Sequence, residues 1–174
     1  MNIDDIGLLV LRLGIGLTFA AHGAQKAFGW WGGPGPEGWR GAMHRMGFHP
    51  TNLFATISIA VELIGGLFLA IGFLTPFAAA ALVAQAVVII VTAHWPKGFF
   101  NSAGGFEFPF ALGVAAAAAG LLGPGRISID NVAGVGWDPT VRFILVIVGL
   151  IAGGVATAVP RLGAARAGSS LRRT

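Results

Sequence analysis

Five long apolar runs dominate the chain and limit the folds that it can adopt. Each run holds about 20 residues, which as an α-helix is about 30 Å long and matches the hydrocarbon core of a bilayer. Only 10% of the 174 residues are charged, whereas a soluble domain carries about 25%. We therefore predict an all-α, polytopic membrane helix bundle. The predicted spans cover residues of about 6–27, 53–72, 76–95, 104–123 and 141–159.

The start of the chain favours a retained span over a cleaved signal peptide. A signal peptide begins with positive charge and continues into an uninterrupted apolar stretch. Here the first residues include Asp4 and Asp5, and Arg12 interrupts the apolar stretch. Residues 1–159 are therefore predicted to form one transmembrane bundle, and residues 160–174 a flexible basic tail.

Helix-start signals precede two of the later runs. Thr75 and Pro76 suit the N-cap and the first helical position of the third span, and Asp138 and Pro139 repeat this pattern before the fifth. Only a few residues separate the second and third spans. We therefore expect these two helices to form a tight antiparallel hairpin.

The segment between the first two spans has a different pattern. From about 37 to 48, Trp39, Met43 and Met46 recur at helical spacing, with polar residues between them. A short helix with one apolar and one charged face is typical of the membrane interface. We predict an interfacial helix here.

Lys and Arg residues are unevenly divided between the two ends of the predicted bundle. If all five runs span the membrane, two of these basic residues, Arg126 and Arg142, lie at one end of the bundle and eight lie at the other. By the positive-inside rule, the C-terminal tail is then cytoplasmic and the N-terminus outside. The net charge of +4 reflects this topology and contact with anionic lipid, and no nucleic-acid partner is expected. The eight are Lys26, Arg40, Arg45, Lys97, Arg161, Arg166, Arg172 and Arg173.

Two opposite charges fall deep within the predicted spans. A charge near the bilayer centre costs about 2.5–3.5 kcal/mol, so such groups normally face the bundle interior and pair. From the helical rise, Arg12 lies about 9 Å inside the first helix and Glu62 about 14 Å inside the second. We predict an Arg12–Glu62 ion pair. Two alternatives are that such a pair only fixes helix register, and that Arg12 extends to the outer interface.

Four further polar residues are expected to meet in one layer. His22 and Lys26 are four residues apart near the end of the first helix, His94 ends the third and Glu107 begins the fourth. Alternating helices bring all of these ends to the same side of the membrane, with Glu62 deeper beneath them. Gln85 lies on the third helix, where its amide could add a hydrogen bond.

Such a layer is compatible with three kinds of chemistry. Histidines and carboxylates bind metals, histidine relays protons near neutral pH, and both can hydrogen-bond the oxygens of a quinone whose tail lies in lipid. Lys26 disfavours a bound cation, so no metal site is predicted. The alternative is that residues at helix ends lie near water and have no function.

The sequence excludes several other classes of site. It contains no Cys, which rules out disulfides, thiolate metal sites and Cys nucleophiles, and no covalently bound cofactor is expected. The Gly-rich stretch of residues 29–38 lacks the Lys-Ser/Thr of a phosphate-binding loop. Gly149 and Gly153 have the spacing that permits close helix approach, which allows a homo-oligomer.

A set of short motifs is spread across residues of about 6–123. The stretches are Arg12-Leu13-Gly14, Phe19 and His22-Gly23-Ala24-Gln25-Lys26 in the first helix, Glu62-Leu63-Ile64-Gly65-Gly66 and Gly72-Phe73-Leu74-Thr75-Pro76 in the second, and then His94, Asn101 and Glu107. As a set they resemble the DoxX family of small bacterial membrane proteins. The family has a core of four helices, so the fifth predicted span and the basic tail depart from it.

The resemblance implies a bacterial plasma-membrane protein linked to redox chemistry. Family members are similar to the membrane subunit of thiosulfate:quinone oxidoreductase, and some are linked with a superoxide dismutase and a sulfurtransferase in oxidative-stress complexes. We therefore expect a subunit that binds quinone or anchors soluble oxidoreductases. A non-catalytic scaffold or assembly factor, and a small proton or solute carrier, are the alternatives.

Overall fold

The computed structural model describes residues 3–158 and 160, which form helices joined by turns and short loops, with no β-strand among them. The predicted all-α architecture is confirmed. The rest of the predicted tail, residues 161–174, lies outside the described residues. In chain order the helices are α1 (Ile3–Phe28), α2 (Gly35–Arg45), α3 (Thr51–Ile71), α4 (Thr75–Lys97), α5 (Glu107–Leu122), α6 (Ile129–Val132) and α7 (Pro139–Ala156).

Four of these helices, α1, α3, α4 and α7, are long and apolar enough to cross a membrane. The fifth apolar helix, α5, has 16 residues and is therefore only about 24 Å long. It still connects the two ends of the bundle. Its first residue, Glu107, bonds Asn101 in the loop after α4, and its last, Leu122, accepts a hydrogen bond from Arg142 at the start of α7.

Helices α4 and α7 begin where the sequence predicts, but only one cap is the expected residue. Asp138 caps α7, because its Oδ1 accepts a hydrogen bond from Thr140 N at 2.7 Å. At α4 the backbone amides of Leu74 and Thr75 donate to the carboxylate of Asp130 at 2.8 and 2.9 Å. The prediction that Thr75 caps α4 is wrong, since α6 supplies the cap.

Arg12 is buried at the end of the bundle remote from α2. Its guanidinium donates hydrogen bonds to the backbone carbonyl oxygens of Pro124 and Ile127, in the loop before α6. Arg12 therefore joins α1 to this loop. The predicted Arg12–Glu62 ion pair is wrong, because the guanidinium instead donates to two backbone carbonyl oxygens of this loop.

The register of α1 against α3 explains why Arg12 and Glu62 are apart. The two backbones approach closely where Gly23 faces Leu63, and a methyl group on Gly23 would collide with the Leu63 backbone. Glu62 therefore lies near the level of Gly23, which is 11 residues beyond Arg12 and about 16 Å further along α1. The depth estimate failed because it treated the two helix ends as level.

Small residues also fix α7 against α4. A side chain at Gly149 would collide with the carbonyl oxygen of Ala80, and one at Gly153 would lie 2.7 Å from that of Ala84. Close approach of this kind needs residues without a Cβ atom. The G-x-x-x-G spacing therefore serves packing within the chain.

Helix α2 lies across one end of the bundle and packs on α1 and α3. Its Met43 is buried with Phe48 and with Ala55 of α3, and Trp39 packs against this cluster. The helix covers Gly35–Arg45, a shift of about one turn from the predicted 37–48. The predicted amphipathic pattern is confirmed, because the residues of the apolar stripe face the bundle.

Candidate functional site

A cavity of about 410 Å³ lies beneath α2, between α1, α3, α4 and α5. We call it the α2 cavity. Most of its wall is apolar, and six polar side chains from the three longest helices reach it: His22, Lys26, Glu62, Gln85, Thr92 and His94. Its volume falls within the range of about 300–1,000 Å³ that is typical of small-molecule sites.

Lys26 and Glu62 form an ion pair in the wall of the α2 cavity. Lys26 Nζ lies 2.5 Å from Glu62 Oε1, and the two side chains are 12% and 1% exposed. Gln85 Nε2 donates to the same oxygen at 2.9 Å and to Ser58 Oγ at 2.8 Å. Because a buried charge is costly unless it is paired and hydrogen-bonded, this network is what permits Glu62 to lie among apolar helices.

The other carboxylate oxygen of Glu62, Oε2, is buried and accepts no hydrogen bond from the described residues. In folded proteins most buried polar atoms have a partner, and those that lack one are often at functional positions. Glu62 therefore combines a fixed ion pair with an acceptor that remains free. A ligand in the α2 cavity that carries a hydrogen-bond donor would satisfy it.

Three polar residues of the cavity, Glu62, Thr92 and His94, lie in π-helical turns. Glu62 belongs to the turn Val61–Gly65 within α3, and His94 ends the turn Ile90–His94 within α4. A π turn widens the helix by one residue and is common at functional sites. The same distortion in both walls supports a ligand site here.

His94 has its orientation fixed by the loop after α4. Its Nδ1 lies 2.7 Å from the carbonyl oxygen of Gly104. Since a carbonyl oxygen only accepts, Nδ1 carries the proton, and Nε2 of the neutral ring is an acceptor. His94 therefore lines the cavity with a defined tautomer.

His22 lines the same cavity from α1 and is half-buried. Its ring packs edge-on against Phe108 of α5, with the ring centres 5.8 Å apart. His22 and Phe108 thus form the part of the wall between α1 and α5.

Glu107 is the one predicted site residue that the structure places elsewhere. It is exposed and does not line the α2 cavity. Its Oε2 accepts a hydrogen bond from Asn101 N at 2.9 Å, and its own amide donates to Phe99 O at 2.8 Å. The prediction that Glu107 joins the layer is wrong, because the first turn of α5 folds back on the loop before it.

Trp39 is a cavity residue that sequence reasoning does not single out. Lys26 Nζ lies 4.0 Å from the centre of its ring, a cation–π contact. Its indole Nε1 is buried without a hydrogen-bond partner in the described residues. The only sequence signal is its place on the apolar stripe of α2, which equally fits simple packing.

Within residues 3–158 and 160, no group of three or more His, Asp or Glu side chains is arranged to hold a metal ion. The polar groups of the α2 cavity instead suit hydrogen bonding to an uncharged ligand. Lys26 contributes a cation, Glu62 Oε2 and Nε2 of a neutral His94 are acceptors, and most of the remaining wall is apolar.

Comparison with known protein families identifies the family of this chain. The DoxX family model matches residues 7–95, about half of the chain, and this stretch includes Lys26, Glu62, Gln85 and His94. Neither the curated proteins nor the solved structures include a significant match. The resemblance predicted from the motifs is confirmed: the chain is a multi-pass membrane protein and belongs to the DoxX family.

Proposed function

We propose that this protein is the membrane subunit of a redox-linked complex in the bacterial plasma membrane, and that the α2 cavity binds the head group of a membrane quinone. One observation carries the proposal. The Lys26–Glu62 pair, with its free carboxylate oxygen, lies in a mainly apolar cavity among helices that can span a membrane. An apolar ring bearing two oxygen atoms fits such a cavity.

The location of the cavity supports this ligand class. Phe108 lines it and is 43% exposed on the outer surface of the bundle, so the wall formed by His22 and Phe108 lies close to the acyl chains. A quinone tail can then remain in lipid while the ring enters between α1 and α5. A water-soluble substrate has no comparable need for a lipid-facing wall.

Electron transfer needs a partner, because the chain has no Cys and redox chemistry of this kind depends on a cofactor. We propose that soluble oxidoreductases dock on the polar face of α2, where Arg40, His44 and Arg45 are exposed. A superoxide dismutase and a sulfurtransferase are the partners that the family implies. With the predicted orientation, this face and the C-terminal tail are cytoplasmic.

The test is saturable binding of a short-tailed quinone analogue to protein in lipid nanodiscs, corrected for uptake by empty nanodiscs. Wild-type protein should bind it. The analogue is measured in its oxidised and in its reduced form, and Glu62→Gln and His94→Gln should each weaken binding of at least one of these forms by about tenfold or more. The matched controls are Glu37→Gln and His44→Gln, which change exposed residues of α2. Absence of saturable binding by folded wild-type protein would refute the proposal.

A scaffold without ligand is the second candidate, and the exposed basic face of α2 favours it. It predicts that Arg40→Gln with Arg45→Gln abolishes co-purification of soluble partners in mild detergent, whereas Glu62→Gln leaves the host pathway intact. Quinone identified in the same purified sample would instead support the ligand site.

A further inference from the structure

We infer that the α2 cavity prefers the reduced quinol over the oxidised quinone, an inference that rests on the proposed function. The argument depends on which hydrogen-bonding groups of the cavity are already used. A quinone oxygen only accepts hydrogen bonds, whereas each hydroxyl of a quinol both donates and accepts. The polar atoms that remain free therefore discriminate between the two forms.

Glu62 supplies the decisive acceptor. Its side chain is 99% buried, since 1% is exposed, and Oε2 has no donor among the described residues. In the ion pair with Lys26 the carboxylate only accepts, and Oε1 already receives Lys26 and Gln85. A quinol O–H can donate to Oε2, but a quinone carbonyl there would face another acceptor.

The amide of Gln85 cannot serve a quinone instead. One of its two N–H groups is directed to Ser58 Oγ and the other to Glu62 Oε1. Thr92, which also lines the cavity, donates its hydroxyl to Val88 O at 2.7 Å. Gln85 and Thr92 can therefore accept hydrogen bonds from a ligand, but neither has a free N–H or O–H group to donate to it.

A donor is also free in the same part of the cavity. Trp39 Nε1 is buried without a partner in the part of the chain that the structure describes. Its ring centre lies 4.0 Å from Lys26 Nζ, the atom that contacts Glu62. One hydroxyl group beside Lys26 can accept from the indole or the ammonium and donate to Glu62 Oε2. A quinone oxygen would satisfy the donor and leave the carboxylate oxygen unpaired.

The experiment compares three ligands of similar size with protein in lipid nanodiscs, under anaerobic conditions: decylhydroquinone, decylbenzoquinone and the dimethyl ether of decylhydroquinone. The ether has no O–H and does not cycle between redox states. A hydrogen bond to a charged acceptor predicts that the hydroquinone binds about 10- to 100-fold more tightly than the other two. Glu62→Gln should abolish this preference, and Glu37→Gln should retain it.

Each outcome bears on the inference. Equal or tighter binding of the quinone or the ether to wild-type protein would overturn the preference and leave the proposed function standing. No saturable binding of any of the three would refute both. Retained binding of the quinone by Glu62→Gln shows that its cavity is intact. If this variant does not fold, the ratio of hydroquinone to ether affinity in the wild type decides the question.

Discussion

Lys26 lies between two groups of different chemistry in the α2 cavity, the carboxylate of Glu62 at 2.5 Å and the ring of Trp39 at 4.0 Å. Both contacts compensate for taking an ammonium group out of water. The pair also connects α1 to α3, and Gln85 extends the connection to α4. At the scale of single residues, the polar network that lines the α2 cavity is therefore also the network that compensates for burying Glu62 inside the bundle.

Lys26→Met should lower the free energy of unfolding by about 3–5 kcal/mol, because it leaves the Glu62 carboxylate buried and without a counter-ion. The measurement is unfolding in detergent micelles, followed by circular dichroism. Lys97→Met is the control, since Lys97 is exposed. Adding Glu62→Gln to Lys26→Met should restore part of the loss. Equal stability of Lys26→Met and Lys97→Met would contradict a stabilising Lys26–Glu62 ion pair.

At the scale of the helices, the two aspartates near the turn before α7 have separate tasks. Asp130 is buried, caps α4 and also accepts a hydrogen bond from Trp137 Nε1 at 2.9 Å. Asp138 is exposed and caps α7. These two aspartates thus start two different helices, α4 and α7, and Asp138 is the exposed one of the two.

Asp138→Ala should destabilise α7 at neutral pH and progressively less in acid. The pKa of Asp138 lies below its ordinary 3.8, chiefly because the carboxylate accepts the backbone hydrogen bond of Thr140. Because the pKa is lowered in the folded state, the stabilisation is complete above pH 3.8, the ordinary pKa of the group. It is lost as the pH falls through the lower pKa of the folded state. The measurement is the difference in unfolding free energy between variant and wild type as a function of pH.

The control for this titration is Asp138→Asn, which keeps a capping oxygen but carries no ionisable group. It should remain close to the wild type at neutral pH. If the Asp138→Ala deficit stays constant well into acid, the ionised carboxylate is not the source of the stabilisation.

At the scale of the whole molecule, α7 lies beyond the residues that match the DoxX family and is joined to the bundle mainly through α4. Its contact face carries Gly149 and Gly153, while large apolar side chains such as Ile147 and Ile151 are exposed. In a membrane these exposed side chains contact lipid. The close backbone contact with α4 is therefore what holds α7 in place.

Gly149→Ala should lower the free energy of unfolding by about 1–3 kcal/mol, because its Cβ would overlap the Ala80 carbonyl oxygen and push α7 away from α4. Gly154→Ala is the matched control, since nothing lies within 4 Å of its added Cβ, and it should be neutral or slightly stabilising. Both are measured by unfolding in micelles. A destabilisation shared equally by the two variants would show that packing against α4 is not the cause.

The sequence by itself determined the class of fold and most of the candidate site. Apolar runs of membrane length and their Pro and Asp boundaries depend on local chemistry, which needs no knowledge of neighbours. The alternation of helices likewise brings His22, Lys26 and His94 to one end of the bundle. These inferences hold because hydropathy and helix direction are properties of single segments.

Only the tertiary structure decided which charges pair. The depth of a residue counted from a predicted helix end carries an error of several residues. An error of that size in the register of α1 on α3 is enough to make Lys26, and not Arg12, the partner of Glu62. The register of α1 on α3 is instead fixed where Gly23 meets Leu63, a contact between residues far apart in the chain. Buried charges follow that packing, because each one pairs with whichever polar group the backbone contact brings within reach.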